Sequence, residues 1–320
     1  MSACTASAAL RSGRPRKSRR RRRCWRLLPP LSRGQPVNYQ EIALSFDCGD
    51  DALYGIVSLP EQAARRGVLI VVGGPQYRAG SHRQFTGLAR ALAAEGIAAM
   101  RFDYRGMGDS EGDMRNFETV GDDLQAAVDR FFSAVPGMDE VVIWGLCDGA
   151  SAAMFYAGGD RRVSGLVLLN PWARTANGIA RTTLKHYYRA RLTDPALWKK
   201  IARGRFDFAA AAASLARMVS AALGAGRTGG GPAAQDAAPL PERMRAGLAR
   251  FKGQVLFIFS EADLTAQEFL DLVRGAPEWQ DLLKAGRVTQ QRIDEADHSF
   301  SRRVWKDRVA RLTVEWVRSW

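Results

Sequence analysis

The pattern of hydrophobic and polar positions predicts strands that alternate with helices over most of the chain. Two segments in which hydrophobic and polar residues alternate loosely come first, at residues 39–47 and 54–59, and they are typical of an antiparallel hairpin. Continuous apolar runs typical of strands buried on both faces follow, and segments with helical spacing separate most of them. The remaining predicted strands are 67–72, 97–102, the run from 140, 165–169, 254–260 and 287–293, and the principal helices are 81–95, 117–132, 265–274 and 304–320. This order predicts an α/β fold with a mainly parallel eight-stranded sheet and helices on both faces.

One long interruption separates the strands at 165–169 and 254–260. About eighty residues lie between them, whereas a crossover between parallel strands needs only one helix. Helical patterns occur there at residues 179–192, 195–203, 208–223 and 242–251, and a Gly/Ala/Pro-rich stretch at 224–241. We therefore predict three parts, namely a disordered basic tail at 1–37, a core formed by 38–172 and 252–320, and a helical cap at 173–251.

The positive charge of the chain is concentrated at its beginning. The formal net charge is +14, and residues 1–36 hold eleven Lys and Arg and no acid, which leaves +3 for the rest. A charge of that size on the folded part does not predict a nucleic-acid partner. Three interpretations of the tail stay open: a basic arm in weak contact with an anionic membrane or nucleic acid, a start site assigned too early with Val37 as the true initiator, or a segment without function.

Membrane spans, disulfides and metal sites are not predicted. No run reaches the ~18 consecutive apolar residues of a membrane span, and prolines interrupt the tail before it reaches the length of a signal-peptide core. The four cysteines, Cys4, Cys24, Cys48 and Cys147, have neither metal-site nor disulfide spacing. We therefore expect a cytoplasmic protein that uses no metal and no cofactor.

A tight turn of small residues follows the apolar run from residue 140. It reads Gly145-Leu146-Cys147-Asp148-Gly149 and leads into an Ala-rich segment. This is the form of a nucleophile elbow, in which a strand turns sharply into a helix and holds the nucleophile in a strained conformation. Glycines on either side leave room for that turn. The pattern predicts Cys147 as a nucleophile, and the alternative is a small buried hydrophobe.

Three histidines could serve as the base that a cysteine nucleophile requires. Sites in parallel sheets form at the carboxyl ends of strands, and His298 follows a predicted sheet strand directly, whereas His82 and His186 do not. Asp263 follows another strand and is the expected orienting acid, with helix capping as its structural alternative. Glu261 is also close, but it lies nearer the strand itself, and we expect its side chain to point elsewhere. In this assignment Cys147 attacks, His298 transfers its proton, and Asp263 orients the imidazole.

A second match to the elbow pattern surrounds Ser110, within residues 108–112. The preceding strand ends at about residue 102 and the next helix is not predicted until about residue 117. Because a nucleophile elbow joins a strand directly to a helix, we expect Ser110 not to be the nucleophile.

The oxyanion hole needs two donors near the predicted nucleophile. One is expected to be the backbone N–H of Asp148, and the other is expected from the loop after the third strand. Pro75 in that loop has no N–H. The backbone of Gly74, the backbone of Gln76 and the side chain of Gln76 remain alternatives for the second donor.

These motifs and several further runs resemble a known family. The stretch from 67 to 165, including RFDYRGMGDSEG at 101–112, resembles α/β-hydrolases of the serine-aminopeptidase and lysophospholipase-like type. More narrowly, the chain resembles the exosortase A system-associated hydrolase of the first type in the runs VGGPQYR (72–78), WGLCD (144–148), LNPW (169–172), LKHYY (184–188) and DLTAQEF (263–269). The likeness spans about residues 38–320 and is least clear at 208–250. It implies an α/β-hydrolase fold, in which nucleophile, acid and base follow the chain order found here, and a bacterial setting of exopolysaccharide production and exosortase-type sorting.

Two departures from the broader superfamily affect the predicted chemistry. Cys147 stands where serine is usual, as in dienelactone hydrolases and polyhydroxyalkanoate synthases, and Gly73-Gly74 stands where His-Gly is usual. These departures weaken the expectation of proteolysis that the aminopeptidase-like scaffold would otherwise raise.

The residues and the resemblance together predict a hydrolase that cleaves a small-molecule ester or thioester, because thiolates suit activated acyl groups better than amides. Tyr187, Tyr188 and Trp198 of the insertion are expected to bind the acyl group, unless they pack within the cap itself. Two alternatives stay open, namely an acyltransferase with the same triad and a non-catalytic scaffold or binding protein.

Overall fold

The computed structural model describes residues 38–74, 76–173 and 238–320. The strands are β1 Tyr39–Cys48, β2 Asp51–Pro60, β3 Arg66–Val71, β4 Ala99–Asp103, β5 Glu140–Leu146, β6 Val163–Leu169, β7 Gln254–Ser260 and β8 Val288–Ile293. The helices are α1 Gln84–Ala94, α2 Gly121–Ala134, α3 Asp148–Tyr156, α4 Leu240–Arg250, α5 Leu264–Gly275, α6 Pro277–Lys284 and α7 Arg303–Val317. Short 3-10 turns occupy Ser81–Arg83 and Ala157–Gly159.

The eight strands form one sheet in the order β1-β2-β4-β3-β5-β6-β7-β8. The first hairpin is antiparallel, with Tyr39 opposite Pro60, and β2 also pairs with β4 antiparallel. All the other strand pairs are parallel. The predicted α/β class and mainly parallel eight-stranded sheet are therefore confirmed, and the carboxyl ends of the parallel strands meet along one edge.

The central strands are buried because their sequences are apolar without interruption. Every residue of β4 is buried, and so is every residue of β5 and β7 after the first. The helices form two packed groups, with α1 against α7 and with α2 and α4 against α3. The parallel sheet is thus covered as its continuous hydrophobic strands require.

Two helices begin later than the sequence predicts, and a third was not predicted. His82 and Arg83 adopt left-handed φ values of 52° and 57°, so the first α-helix begins at Gln84 instead of 81. Helix α2 begins at Gly121, four residues later than predicted. Helix α6 was not predicted; it starts with Pro277 at its first position and inserts Trp279 against Phe269, with ring centroids 5.2 Å apart.

Helix α4 falls within the range predicted as cap, yet it packs on the core. Met244 and Leu248 are fully buried, and Gly247 lies so close to α3 that a Cβ there would overlap the carbonyl of Met154. Arg243 also pairs with Glu118 at 2.6 Å. The chain has therefore rejoined the core by Leu240.

The predicted tail and most of the predicted cap lie outside the described residues. That part includes His186 and the predicted substrate-binding residues Tyr187, Tyr188 and Trp198. Among the helices that the structure describes, none combines the length and hydrophobicity needed to cross a membrane.

Candidate active site

Cys147 occupies the sharp junction between β5 and α3. Its backbone is strained, with φ 61° and ψ −124°, which is an uncommon conformation for a residue that carries a Cβ. Its N–H donates to the carbonyl of Leu169 at 2.9 Å, and its carbonyl accepts from Ala150 at 3.1 Å. The side chain is partly exposed. This is the strand–turn–helix geometry of a nucleophile elbow.

The glycines on either side of Cys147 are required by contacts with other backbone atoms. A Cβ at Gly145 would lie 2.6 Å from the amide nitrogen of Ala150, and one at Gly149 would lie 2.7 Å from the carbonyl oxygen of Val71. Real Cβ atoms do not approach backbone so closely. The strained turn therefore exists only because both positions lack a side chain.

Asp263 and His298 meet at the same sheet edge. Asp263 lies in the turn after β7 and His298 in the loop after β8, and their Oδ2 and Nδ1 atoms are 2.9 Å apart. Asp263 is 7% exposed, and it also caps α5 by accepting from Thr265 at 3.2 Å and Ala266 at 3.1 Å. Both expected roles of this carboxylate, cap and histidine partner, are present together.

Two hydrogen bonds raise the pKa of His298 to about 10. The larger cause is the hydrogen bond with Asp263, and the second is a hydrogen bond with Cys147; burial opposes both. The first bond occupies Nδ1, which leaves Nε2 for the thiol. The structure therefore brings together the three residues that the sequence predicted as a triad.

Neighbouring candidates have other contacts. The carboxylate of Glu261 accepts from the backbone N–H of Glu295 at 3.0 Å, whereas Asp263 is the carboxylate that pairs with the imidazole. The hydroxyl of Ser110 donates to the carbonyl of Asp103 at 2.6 Å and accepts from the backbone of Tyr54 at 3.0 Å. Ser110 therefore closes a turn and ties it to β2, as a structural residue would.

The loop after β3 narrows the alternatives for the second oxyanion donor. The backbone N–H of Gln76 donates to the carbonyl of Gly74 at 2.7 Å, and the Gln76 side-chain oxygen accepts from Ser81 at 3.0 Å. The backbone of Gln76 is thus engaged within its own loop. The N–H of Gly74 and the Gln76 amide nitrogen remain alternatives for the second donor, alongside the N–H of Asp148, although the Asp148 carboxylate accepts from both of these backbone N–H groups.

The side chain of Asp148 lies beside these donors. Burial is the largest influence and raises its pKa, while the N–H groups of Gly74, Asp148 and Gly149 oppose that rise. Its Oδ1 atom is buried and meets no donor with hydrogen-bond geometry in the described residues. The carboxyl group of Asp148 therefore lies close to two of the candidate oxyanion donors, the N–H groups of Gly74 and Asp148.

Arg78 and Asp103 anchor the same loop, and sequence reasoning missed them. The backbone N–H of Arg78 donates to Asp103 Oδ1 at 2.6 Å, and its guanidinium pairs with Asp103 and, at 2.5 Å, with Asp109. Asp103 is fully buried, and burial raises its pKa against the lowering effect of Arg78. The position of Asp103 at the carboxyl end of β4 was the signal that could have found it.

The described residues include no cluster of three or more His, Cys, Asp or Glu side chains that could hold a metal ion. Cys48 and Cys147 are both free thiols, and Cys48 is buried. Burial raises the pKa of Cys48, which suits an inert structural thiol.

Comparisons with known proteins agree with this architecture. Residues 63–212 match the family model described as serine aminopeptidase, S33. The esterase Pf2001 of Pyrococcus furiosus is 16% identical, with a TM-score of 0.56 over 89% of this chain and 93% of that chain. Est1E of Butyrivibrio proteoclasticus, solved with ferulic acid bound, is 16% identical, with a TM-score of 0.56 over 86% and 99%.

A dienelactone hydrolase of Anabaena variabilis is also similar in structure, at 17% identity and a TM-score of 0.53 over 87% of this chain and 96% of that chain. No curated protein matches the chain significantly. At these identities the structural likeness shows the fold, and the family match covers the segment from β3 through the elbow to β6 and beyond. The sheet order, the elbow and the structural matches show that the chain has the α/β-hydrolase fold.

Proposed function

We propose that this chain hydrolyses ester or thioester bonds with Cys147 as nucleophile, His298 as acid–base group and Asp263 as its orienting partner. The observation that carries the proposal is the hydrogen-bonded Asp263–His298 pair. His298 is in turn hydrogen-bonded to Cys147, which has the strained elbow conformation. Structurally similar proteins named as esterases and a dienelactone hydrolase support the same reaction class.

The imidazole of His298 is hydrogen-bonded to both Asp263 and Cys147. Because the pKa of His298 is raised to about 10, the imidazole carries a proton at neutral pH that it is able to transfer to the leaving group. Asp263 stabilises the positive charge on the ring and fixes its orientation. The site is thus prepared to protonate the leaving group.

The proposed reaction has two halves. The sulfur of Cys147 bonds to the acyl carbon, and the carbonyl electrons move to oxygen, where the backbone N–H of Asp148 and a loop donor stabilise the charge. Collapse breaks the bond to the leaving alkoxide or thiolate, which takes the proton from His298. Water then gives a proton to His298 as it attacks the acyl-enzyme, and the carbon–sulfur bond breaks to release the acid.

The finer predictions about substrate and setting rest on the sequence. The role of Tyr187, Tyr188 and Trp198 in binding the acyl group stays a prediction, as does the contact of the tail with anionic lipid. The association with exopolysaccharide production and exosortase-type sorting rests on the resemblance alone. The cytoplasmic location rests on cysteine usage.

Acylation of the purified protein tests the proposal directly. A p-nitrophenyl ester and an acyl thioester are each mixed with wild type, Cys147→Ala and Ser110→Ala, and the mass of the protein and its tryptic peptides is followed with time. We expect an acyl adduct on the peptide that contains Cys147 in wild type and Ser110→Ala, and none in Cys147→Ala.

The outcomes separate the alternatives. Labelling of Cys147→Ala to the same extent as wild type refutes Cys147 as the nucleophile. Loss of labelling in a folded Ser110→Ala variant would instead assign the nucleophile to Ser110. An acyl-enzyme that turns over only when sugar or lipid alcohols are added would make the chain an acyltransferase. Absence of labelling by both probes would favour the scaffold interpretation.

A further inference from the structure

Asn170 and Ser260 form a buried side-chain pair at the carboxyl ends of β6 and β7. Both residues are 0% exposed. The amide of Asn170 donates to Ser260 Oγ at 2.8 Å, and its oxygen accepts from the backbone N–H of Ser260 at 2.9 Å. Asn170 has a left-handed φ of 43°, which asparagine tolerates better than most residues. This backbone conformation accompanies the orientation of the Asn170 side-chain amide toward Ser260.

The pair also holds the backbone of the histidine loop. The Asn170 amide donates to the carbonyl of His298 at 3.2 Å, and the hydroxyl of Ser260 donates to the carbonyl of Asp297 at 2.9 Å. Two consecutive carbonyls of that loop are therefore fixed by side chains from two other strands. The loop itself has left-handed turns at Glu295 and Phe300, so regular strand hydrogen bonds cannot set its course.

Two residues that flank Asn170 in the chain, Leu169 and Trp172, form hydrogen bonds with the backbone of the nucleophile. The carbonyl of Leu169 accepts from the backbone N–H of Cys147 at 2.9 Å, and the N–H of Trp172 donates to the carbonyl of Cys147 at 3.2 Å. The same four-residue segment thus contacts the backbones of both Cys147 and His298. Strand β6 supplies no triad residue, yet it lies next to β5 and β7 in the sheet.

We propose that Asn170, with Ser260 as its partner, is a positioning residue that sets the separation of the His298 imidazole from the Cys147 sulfur. The proposal rests on the triad of the proposed function. Asn170 acts through the backbone of the histidine loop. Its side-chain amide fixes the His298 carbonyl, and the fixed carbonyl sets the distance of the imidazole ring from the elbow. A displacement of about 1 Å between catalytic groups lowers a reaction rate by as much as ~100-fold.

Two variants and one matched control test this role. Asn170→Asp keeps the size, the left-handed backbone and the acceptor for Ser260, but it turns a donor into an oxygen that faces the His298 carbonyl. Ser260→Ala is milder and removes both hydroxyl bonds. Thr313→Val serves as the control, because it also removes one buried bond, from the Thr313 hydroxyl to the carbonyl of Val309 at 2.9 Å, within α7.

The measurement is the rate of iodoacetamide alkylation of the Cys147 peptide between pH 5 and pH 10, at temperatures where each variant is folded by circular dichroism. Alkylation requires the thiolate and no substrate. We expect Asn170→Asp and Ser260→Ala to react roughly 10-fold or more slowly at neutral pH, with the profile displaced to higher pH, because a displaced imidazolium no longer stabilises the thiolate. Thr313→Val should lose thermal stability and keep the wild-type profile.

The results decide between positioning and packing. Profiles that stay within twofold of wild type in both variants overturn the proposal, and a profile shift equal to that of Thr313→Val does so too. If Asn170→Asp does not fold, Ser260→Ala decides by the same criterion. If wild type alkylates as expected but no ester acylates it, the positioning role stands while the proposed hydrolase function fails.

Discussion

Asp263 makes two kinds of contact, and substitution can separate them. Its carboxylate caps α5 through Thr265 and Ala266, and it pairs with His298 at 2.9 Å. Asparagine and serine are as good as aspartate at a helix N-cap, whereas alanine costs about 0.5–2 kcal/mol. None of the three replacements provides a negative charge beside the imidazole. Stability should therefore follow the cap, while activity should follow the charge.

We expect Asp263→Ala to unfold about 1 kcal/mol more easily than Asp263→Asn or Asp263→Ser. In a chain of this size that difference lowers the unfolding midpoint by about 2 °C. All three variants should acylate from a p-nitrophenyl ester ~100-fold to ~10,000-fold more slowly than wild type, because the imidazolium is neither stabilised nor held in orientation. The pKa of His298, followed by NMR, should fall in each, since the Asp263 bond is the largest cause of its elevation.

The assay compares single-turnover acylation with urea unfolding of the same preparations. Asp263→Asn that acylates at the wild-type rate would refute the role of this carboxylate in the triad. Activity that rises and falls with stability across the three variants would refute the separation of cap from charge. The His298 titration distinguishes these cases, because loss of the cap alone leaves the pKa of the imidazole unchanged.

Two further predictions concern the elbow and the pH dependence. Gly145→Ala should lower the free energy of unfolding by about 1–3 kcal/mol, because its Cβ would meet the backbone 2.6 Å away. Gly159→Ala is the control: no atom lies within 4 Å of its Cβ, and it should cost less than about 0.5 kcal/mol. Equal urea midpoints for the two variants would contradict the steric explanation. Acylation should slow as pH rises through about 10, since His298 then loses the proton for the leaving group. The folded pKa lies above the ordinary 6.5, so the stabilisation from this pairing is complete below about pH 6.5 and disappears through about pH 10; a difference in unfolding free energy between wild type and His298→Gln that grows at high pH would contradict it.

The fold was readable from the sequence because its signals are local. The uninterrupted apolar runs of β3, β5 and β7 can only be buried on both faces, and the helical stripes between them dictate parallel pairing. The strand β7 agrees with its predicted bounds at 254–260. Boundaries were wrong where a turn intervened, as at Arg83, whose left-handed conformation no periodicity reveals.

The sequence also indicated Cys147, Asp263 and His298 as candidates, because each follows a strand and chain order alone places the three at one sheet edge. Only the tertiary structure decided what holds them there. Asn170 reaches residues 90 and 128 positions away, and a hydrogen bond across such a separation leaves no pattern in the chain. The same holds for the Asp103 anchor beneath the loop after β3 and for helix α4, which joined the core through a contact at Gly247. Local periodicity fixes which segments form strands and helices, whereas the precise spacing of a catalytic site depends on contacts that exist only after those segments have packed.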